Sequence, residues 1–230
     1  MTAWLKALLS VFYPEVCLQC GNVLDDSEQT VCGNCIAGLP RTFMAVNKDN
    51  LAEMKFATDL KILRAASYCR YSQDSDFRNM IHRAKYGNHP EIMYRLAQQA
   101  ATEWRDTGFF DGVDVIVPVP LHKKKLRERG YNQSDFIAHG LGDELGVAVC
   151  EDALARIRND QSQTMQDMTA RSANVKGAFA VNEESNIKGK TVLLVDDVLT
   201  TGATLSECVT QLRKIPKTKI VVFTLAIAAN

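Results

Sequence analysis

The stretch 192–204, VLLVDDVLTTGAT, constrains this chain more than any other. It opens on a short apolar run of valine and leucine, which reads as a buried strand. Asp196 and Asp197 follow at the strand's C-terminal edge, then Thr200, Thr201, Gly202, Ala203 and Thr204. Beyond them Leu205, Val209 and Leu212 recur at helical spacing, with basic residues at the end. The unit is strand, acidic pair, hydroxyl-rich loop, helix. Such a loop at a helix N-terminus gathers backbone N–H groups and the positive end of the helix dipole, which makes a phosphate cradle. In an open parallel sheet, ligands bind outside the carboxyl ends of the strands, where this loop falls. Buried carboxylates without partners are costly, so Asp196 and Asp197 are expected to face polar ligands, such as the vicinal hydroxyls of a ribose or water on Mg²⁺. A surface turn after a strand uses the same residue types. The complete ordered string favours the cradle over the turn.

A chain of 230 residues can bury a good core and carry a small appendage. Lys and Arg balance Asp and Glu at net zero, so no global basic excess announces nucleic acid, although a local patch stays open. No apolar run approaches the roughly 20 residues of a membrane span. Near the N-terminus Trp4, Leu5, Leu8, Leu9 and Phe12 follow helical spacing without a basic n-region or cleavage site. That predicts a short amphipathic helix packed on the body rather than a membrane anchor, and a cytoplasmic location.

Seven cysteines in a reducing compartment are thiols or metal ligands. Cys69, Cys150 and Cys208 stand in apolar contexts and read as small buried hydrophobes. Cys17, Cys20, Cys32 and Cys35 form two CxxC knuckles in one short segment. Four thiolates make a closed tetrahedral set, which points to structural Zn²⁺. Gly21 and Gly33 fall where the knuckle turns need a permissive backbone. Two redox pairs or an iron–sulfur centre are the alternatives, and neither accounts for paired knuckles so close together. So small a segment cannot build a core, and metal binding would supply most of its folding energy.

From residue 62 onward, strand-like and helix-like stretches alternate. Strands are expected over 62–71, 113–117, 147–150, 179–181 and 217–227, with an extended piece at 153–158; helices are expected over 77–85, 92–104, 134–145 and 205–214. That order predicts an α/β domain with a mainly parallel sheet flanked by helices, over 41–230, behind an N-terminal helix and a four-cysteine module over 1–40. The strand VDVIV runs into Pro118, Val119, Pro120, Leu121 and His122, where the prolines end it. Lys123 to Arg129 then carries five cations and one carboxylate before Gly130. A bare charge run is a solvated loop, but this one sits past a strand's carboxyl end, so a mobile basic flap over an anionic ligand is the competing reading. Lys85 and Tyr86, at a helix end, read as a solvated cation and a packing aromatic. The polar stretch 161–174 is long for a connection and is expected to be partly helical or functional.

Four separated features occur in order: the paired CxxC, PVPLH followed by RGYNQ, the RIRND series continuing through Gln163, Arg171 and Asn174 to GAF, and VDDVLTTGAT. Together they resemble the ComF family, phosphoribosyltransferase-like proteins linked to bacterial competence. The resemblance implies a type I phosphoribosyltransferase fold behind an N-terminal zinc ribbon, and binding of phosphoribosyl pyrophosphate (PRPP) with Mg²⁺. It places the ribose hydroxyls on Asp196 and Asp197 and the 5-phosphate on Thr200, Thr201, Gly202, Ala203 and Thr204. Pro120, Leu121 and His122 would lie near the pyrophosphate, and the basic stretch would be the mobile loop, with Arg127 and Arg129 neutralising the leaving group. Lys124, Lys125, Tyr131 and Asp160 depart from the family's common residues, which weakens any role for Asp160. Turnover would displace pyrophosphate at the anomeric carbon through an oxocarbenium-like transition state. Positioning and electrostatics would do most of the work. His122 is the best-placed base, though a lone His is more often structural, and the acceptor is not readable. Three functions stay open: a PRPP transferase, a non-catalytic PRPP or nucleotide sensor, and a DNA-uptake factor contacting single-stranded DNA or a helicase-like competence partner.

Overall fold

A computed structural model describes residues 13–56, 60–72, 75–158, 175–182 and 187–228. The expected N-terminal helix and the polar stretch 161–174 lie outside these residues. The elements are α1 (Gly33–Ala37), β1 (Arg64–Tyr71), α2 (Asp76–Tyr86), α3 (Glu91–Trp104), β2 (Val115–Pro118), α4 (Lys123–Arg129), α5 (Gln133–Leu145), β3 (Leu154–Arg156), β4 (Phe179–Val181), β5 (Thr191–Leu199), α6 (Ala203–Leu212) and β6 (Lys219–Ala228).

Four strands form a fully parallel sheet in the order β1-β6-β5-β2. Val192 to Val195 and Ile220 to Ile227 are all buried, as strands covered on both faces require. Helix α5 packs on β5 and β2 and also against α3, while α6 packs on β5 and β4. Gly140 permits the close approach of α3 and α5, because a Cβ there would run into the Tyr94 carbonyl oxygen. Residues 40–42 bridge the outer edge of β1 through Arg41 and Cys69. The outer edge of β2 is met by Val149 through one parallel bridge with Ile116. The expected strand at 147–150 is therefore a single bridge. β3 and β4 form a separate antiparallel pair.

Two expectations about the ligand end of the sheet change. β5 runs on through Asp196 and Asp197 to Leu199, because Thr224, Ala226 and Ile227 of β6 continue to pair with it. The acidic pair thus lies within the strand and not beyond it. The basic run is not an irregular loop: Lys123–Arg129 is a two-turn helix with no buried residue. His122 caps its start by accepting the Lys124 amide on Nδ1 at 3.2 Å, and Gly130, at φ +85°, ends it with its N–H on the Leu126 carbonyl.

Candidate functional site

The ligand end is assembled from three distant segments. On β5, Asp196 Oδ1 accepts from Ser134 Oγ at 3.0 Å and from the Asp197 amide at 2.9 Å. Asp197 Oδ2 is 2.8 Å from Nζ of Lys85 at the end of α2. Lys85 is therefore not the solvated cation its sequence context suggests.

The residues between the prolines and α5 each have a visible task. Tyr131 donates its hydroxyl to the Ala84 carbonyl at 2.6 Å, next to Lys85. Asn132 caps α5 and donates Nδ2 to the Val119 carbonyl at 3.1 Å, which ties the end of β2 to the helix start. Gln133 accepts from the Arg129 guanidinium, and Ser134 reaches Asp196. The expected RGYNQ feature, with the Ser134 that follows it, thus joins the acidic pair to α2 and β2. Asn132 and Ser134 are buried, which explains polar residues at that level of the core.

After β5 the chain turns through Thr200 and Thr201 to Gly202, which takes φ +82° at the N-cap of α6. A Cβ on Gly202 would meet the Lys55 carbonyl oxygen at 2.9 Å, so glycine is required by both conformation and space. Thr201 Oγ1 accepts the Ala203 amide at 3.4 Å. The next amides, of Thr204 and Leu205, belong to the first helical turn, which has no intrahelical acceptors. Asp196 and residues 198–205 line one small hollow of about 50 Å³. A second cavity of about 560 Å³ lies between α2 and α4, lined by Lys85, Tyr86, Lys125, Glu128, Arg129 and Tyr131. There the Arg129 guanidinium sits over the Tyr86 ring at 5.2 Å.

Asp196, Thr200, Thr201, Gly202, Ala203 and Thr204 come together as expected, with Asp197 adjoining through Lys85. Arg129 joins Lys85 in the larger cavity. Arg127 is exposed and lines neither space, and Pro120, Leu121 and His122 line neither, although the Val119 amide bonds the Val195 carbonyl beside Asp196. Sequence reasoning missed Lys85 and Ser134. Their only signal is a polar residue at a helix end and another at a buried helical position.

Burial and the neighbouring Asp197 charge push the Asp196 carboxyl up to about 7. Burial pulls the Lys85 ammonium down, but Asp197 and Asp196 outweigh it and hold Lys85 above the ordinary lysine value. Burial, then Glu151, pushes Asp135 up to about 6.

The four knuckle cysteines converge at the other side of α2. Their Sγ atoms all lie within 4.8 Å of one another, with Cys17 to Cys35 at 3.8 Å and Cys20 to Cys32 at 3.7 Å. A tetrahedral Zn²⁺ with Zn–S near 2.3 Å has S···S edges of about 3.8 Å. The donor set fits zinc. Burial raises the Cys17 thiol, but amides of Cys20, Cys32 and Gln19 more than offset it and lower it, whereas burial and the neighbouring thiols raise Cys35, whose proton metal binding would displace. Gly21 takes φ +77° as expected, whereas Gly33 simply opens α1. Cys69, Cys150 and Cys208 are buried thiols. Among the described residues no helix is long and apolar enough to cross a membrane.

A parallel sheet that ends in an acidic pair and a glycine–threonine loop defines a phosphoribosyltransferase-type domain, and the phosphoribosyl transferase domain family matches residues 85–227. The chain belongs to that family and, within it, to the phosphoribosyltransferase-like ComF proteins. Relatives include "DNA utilization protein YhgH" of Salmonella typhimurium, 34% identical over 56% of this chain and 57% of that one. "Competence protein F" of Haemophilus influenzae is 32% identical over 64% of this chain and 66% of its own length. "Competence protein ComFC" of Bacillus subtilis is 26% identical over 83% of this chain and 75% of its own. The chain thus spans just over half the length of the Salmonella relative.

Proposed function

We propose that this chain binds PRPP and supports DNA uptake in natural transformation. One observation carries the ligand: Asp196 and the glycine–threonine loop line a single hollow at the carboxyl end of a parallel sheet. The amides at the start of α6 take the 5-phosphate, and Asp196 and Asp197 take the ribose hydroxyls. The pyrophosphate then points toward the end of β2 and the cations of α4. Mg²⁺ enters with PRPP and neutralises part of the pyrophosphate charge, held by few protein ligands. Zn²⁺ holds the N-terminal module through Cys17, Cys20, Cys32 and Cys35, and we take 1–40 and 41–230 as its two units. The DNA-uptake role is supported by the names of the relatives, which speak of competence and DNA utilization. A cytoplasmic location follows from that role. Deleting the gene in a transformable host should lower recovery of exogenous DNA, and unchanged transformation would refute that role.

Calorimetry with PRPP–Mg²⁺ tests binding, and lack of heat at saturating ligand would refute it. Incubation with PRPP and a panel of bases then separates transferase from sensor by pyrophosphate release. Direct contact with single-stranded DNA would show as retention that falls steeply with salt. A partner role for a helicase-like competence protein is tested by co-purification from competent cells.

Helix α4 gives a sharper expectation. Arg129 lines the cavity beside Lys85, whereas Arg127 faces solvent. PRPP–Mg²⁺ should therefore slow tryptic cleavage after Arg129 more than after Arg127. Equal protection at both, or none at either, would remove α4 from the ligand site.

A further inference from the structure

Asp196 and Asp197 are consecutive on β5, and the Asp197 side chain is only 7% exposed. Burial, then the neighbouring Asp197 charge, disfavours ionising the Asp196 carboxyl. Lys85 faces this pair, its side chain 20% exposed and its Nζ 2.8 Å from Asp197 Oδ2. Its position is fixed from two sides. Gly87 ends α2 with its N–H on the Arg83 carbonyl at 2.7 Å, and a Cβ there would meet that carbonyl oxygen at 2.8 Å. On the other side the Tyr131 hydroxyl holds the Ala84 carbonyl at 2.6 Å. The two carboxylates are thus held separately, Asp196 by Ser134 of α5 and Asp197 by Lys85 of α2.

We propose that Lys85 is a positioning residue of the ligand site: its ion pair fixes the Asp197 carboxylate in place, so that the acidic pair offers two acceptors to a ribose diol. The proposal rests on the PRPP reading, and Lys85 acts through Asp197 rather than through the ligand. An ammonium at that distance supplies the countercharge a buried carboxylate needs, and truncating it leaves the charge uncompensated. A displaced Asp197 would then be a poorer acceptor for a hydroxyl, while the phosphate cradle of α6 would be untouched.

The test is calorimetry with ribose 5-phosphate, which carries the diol and the phosphate without the pyrophosphate, and with inorganic phosphate as the control. Lys85→Met should weaken ribose 5-phosphate by about tenfold or more, as loss of a charged hydrogen bond does, and leave phosphate binding unchanged. Lys85→Arg should recover most of the loss. Lys85→Met added to Asp197→Asn should cost nothing further, because both act through one carboxylate. Parent-like affinity in Lys85→Met, or losses that multiply in the double variant, would overturn the proposal. If Lys85→Met melts before it can be titrated, comparing the double variant with Asp197→Asn alone decides the same question. A parent that binds phosphate but not ribose 5-phosphate would refute the PRPP reading itself. The ion pair is then judged from melting: Lys85→Met should lower Tm more than the double variant does, and an equal lowering would overturn it.

Discussion

Replacing Cys17 with Ser, or stripping the metal with a chelator, should abolish hydrogen-exchange protection over 13–39 while β1 to β6 stay protected. Beyond the thiols the module buries only a few apolar side chains, Val31, Ile36 and Leu39 among them. α1 has five residues, far below the length at which a helix persists alone. Its folds rest on scattered bonds such as Cys17 N–H to the Asn22 carbonyl at 2.7 Å and Leu18 N–H to the Thr30 carbonyl at 2.8 Å. Structural zinc in small peptides contributes about 10–16 kcal/mol of apparent binding free energy, larger than the whole stability of many domains. Metal analysis should therefore find about one Zn²⁺ per chain. The module meets the body through α2: Gln19 Nε2 bonds Asp76 at 3.3 Å and Arg83 bonds the Leu18 carbonyl. Since α2 also carries Lys85, a modest loss of PRPP affinity should accompany metal removal. Zinc-free protein with full protection over 13–39 would show that the cysteines serve another purpose.

The periodic elements were legible from side-chain pattern alone. Phe77, Met80, Ile81 and Ala84 mark the buried stripe of α2, and Ile92, Leu96, Ala100 and Trp104 that of α3; all eight are buried. The acidic pair and the loop were legible because strand, carboxylates, threonines and glycine stand in one short string. α4 was not, because KKKLRER has no apolar stripe; its limits are set by a histidine cap and a left-handed glycine. The reach of β5 through two aspartates was hidden, because carboxylates ordinarily end strands and only pairing with β6 keeps these in register. Lys85 was misread for a different reason. Its partner lies more than a hundred residues away, and no local pattern reports a contact made through the tertiary fold. Sites are legible where one segment holds the whole constellation, and illegible where a second segment supplies the countercharge.

Asp196→Asn should make the ligand-free protein more stable above pH 7 and weaken its binding of PRPP by roughly one to two orders of magnitude. In the parent this carboxyl is pushed up to about 7 by burial and by Asp197, above its unfolded value. Between about pH 4 and pH 7 the folded chain therefore holds a proton that the unfolded chain has lost, so this group's stabilisation is full at low pH and disappears as pH rises. Each pH unit in that window removes about 1.4 kcal/mol, on the order of a few kcal/mol in all. Asparagine stays neutral, and its Oδ1 can still accept from Ser134 and from the Asp197 amide. Urea melts should therefore coincide near pH 4, diverge steadily through that window and differ by a constant amount above about pH 7, with the variant more stable. PRPP affinity should move the other way. In the parent it should rise through pH 7 as the carboxylate ionises, and in the variant it should be roughly 10- to 150-fold weaker, from one charged hydrogen bond of about 1.5–3 kcal/mol, and lack that rise. The last phosphate ionisation, near pH 6, is common to both proteins and cancels in the comparison. Gly202→Val should strike the phosphate cradle instead of the diol acceptors. A β-branched side chain at φ +82°, with its Cβ 2.9 Å from the Lys55 carbonyl oxygen, forces the loop out of shape. That variant should lose inorganic phosphate as well as PRPP, whereas Asp196→Asn should keep phosphate or gain slightly from the lost negative charge. If Asp196→Asn binds PRPP as well as the parent at pH 8, the acidic pair is a feature of the strand alone and the hollow beside it is not a ribose site.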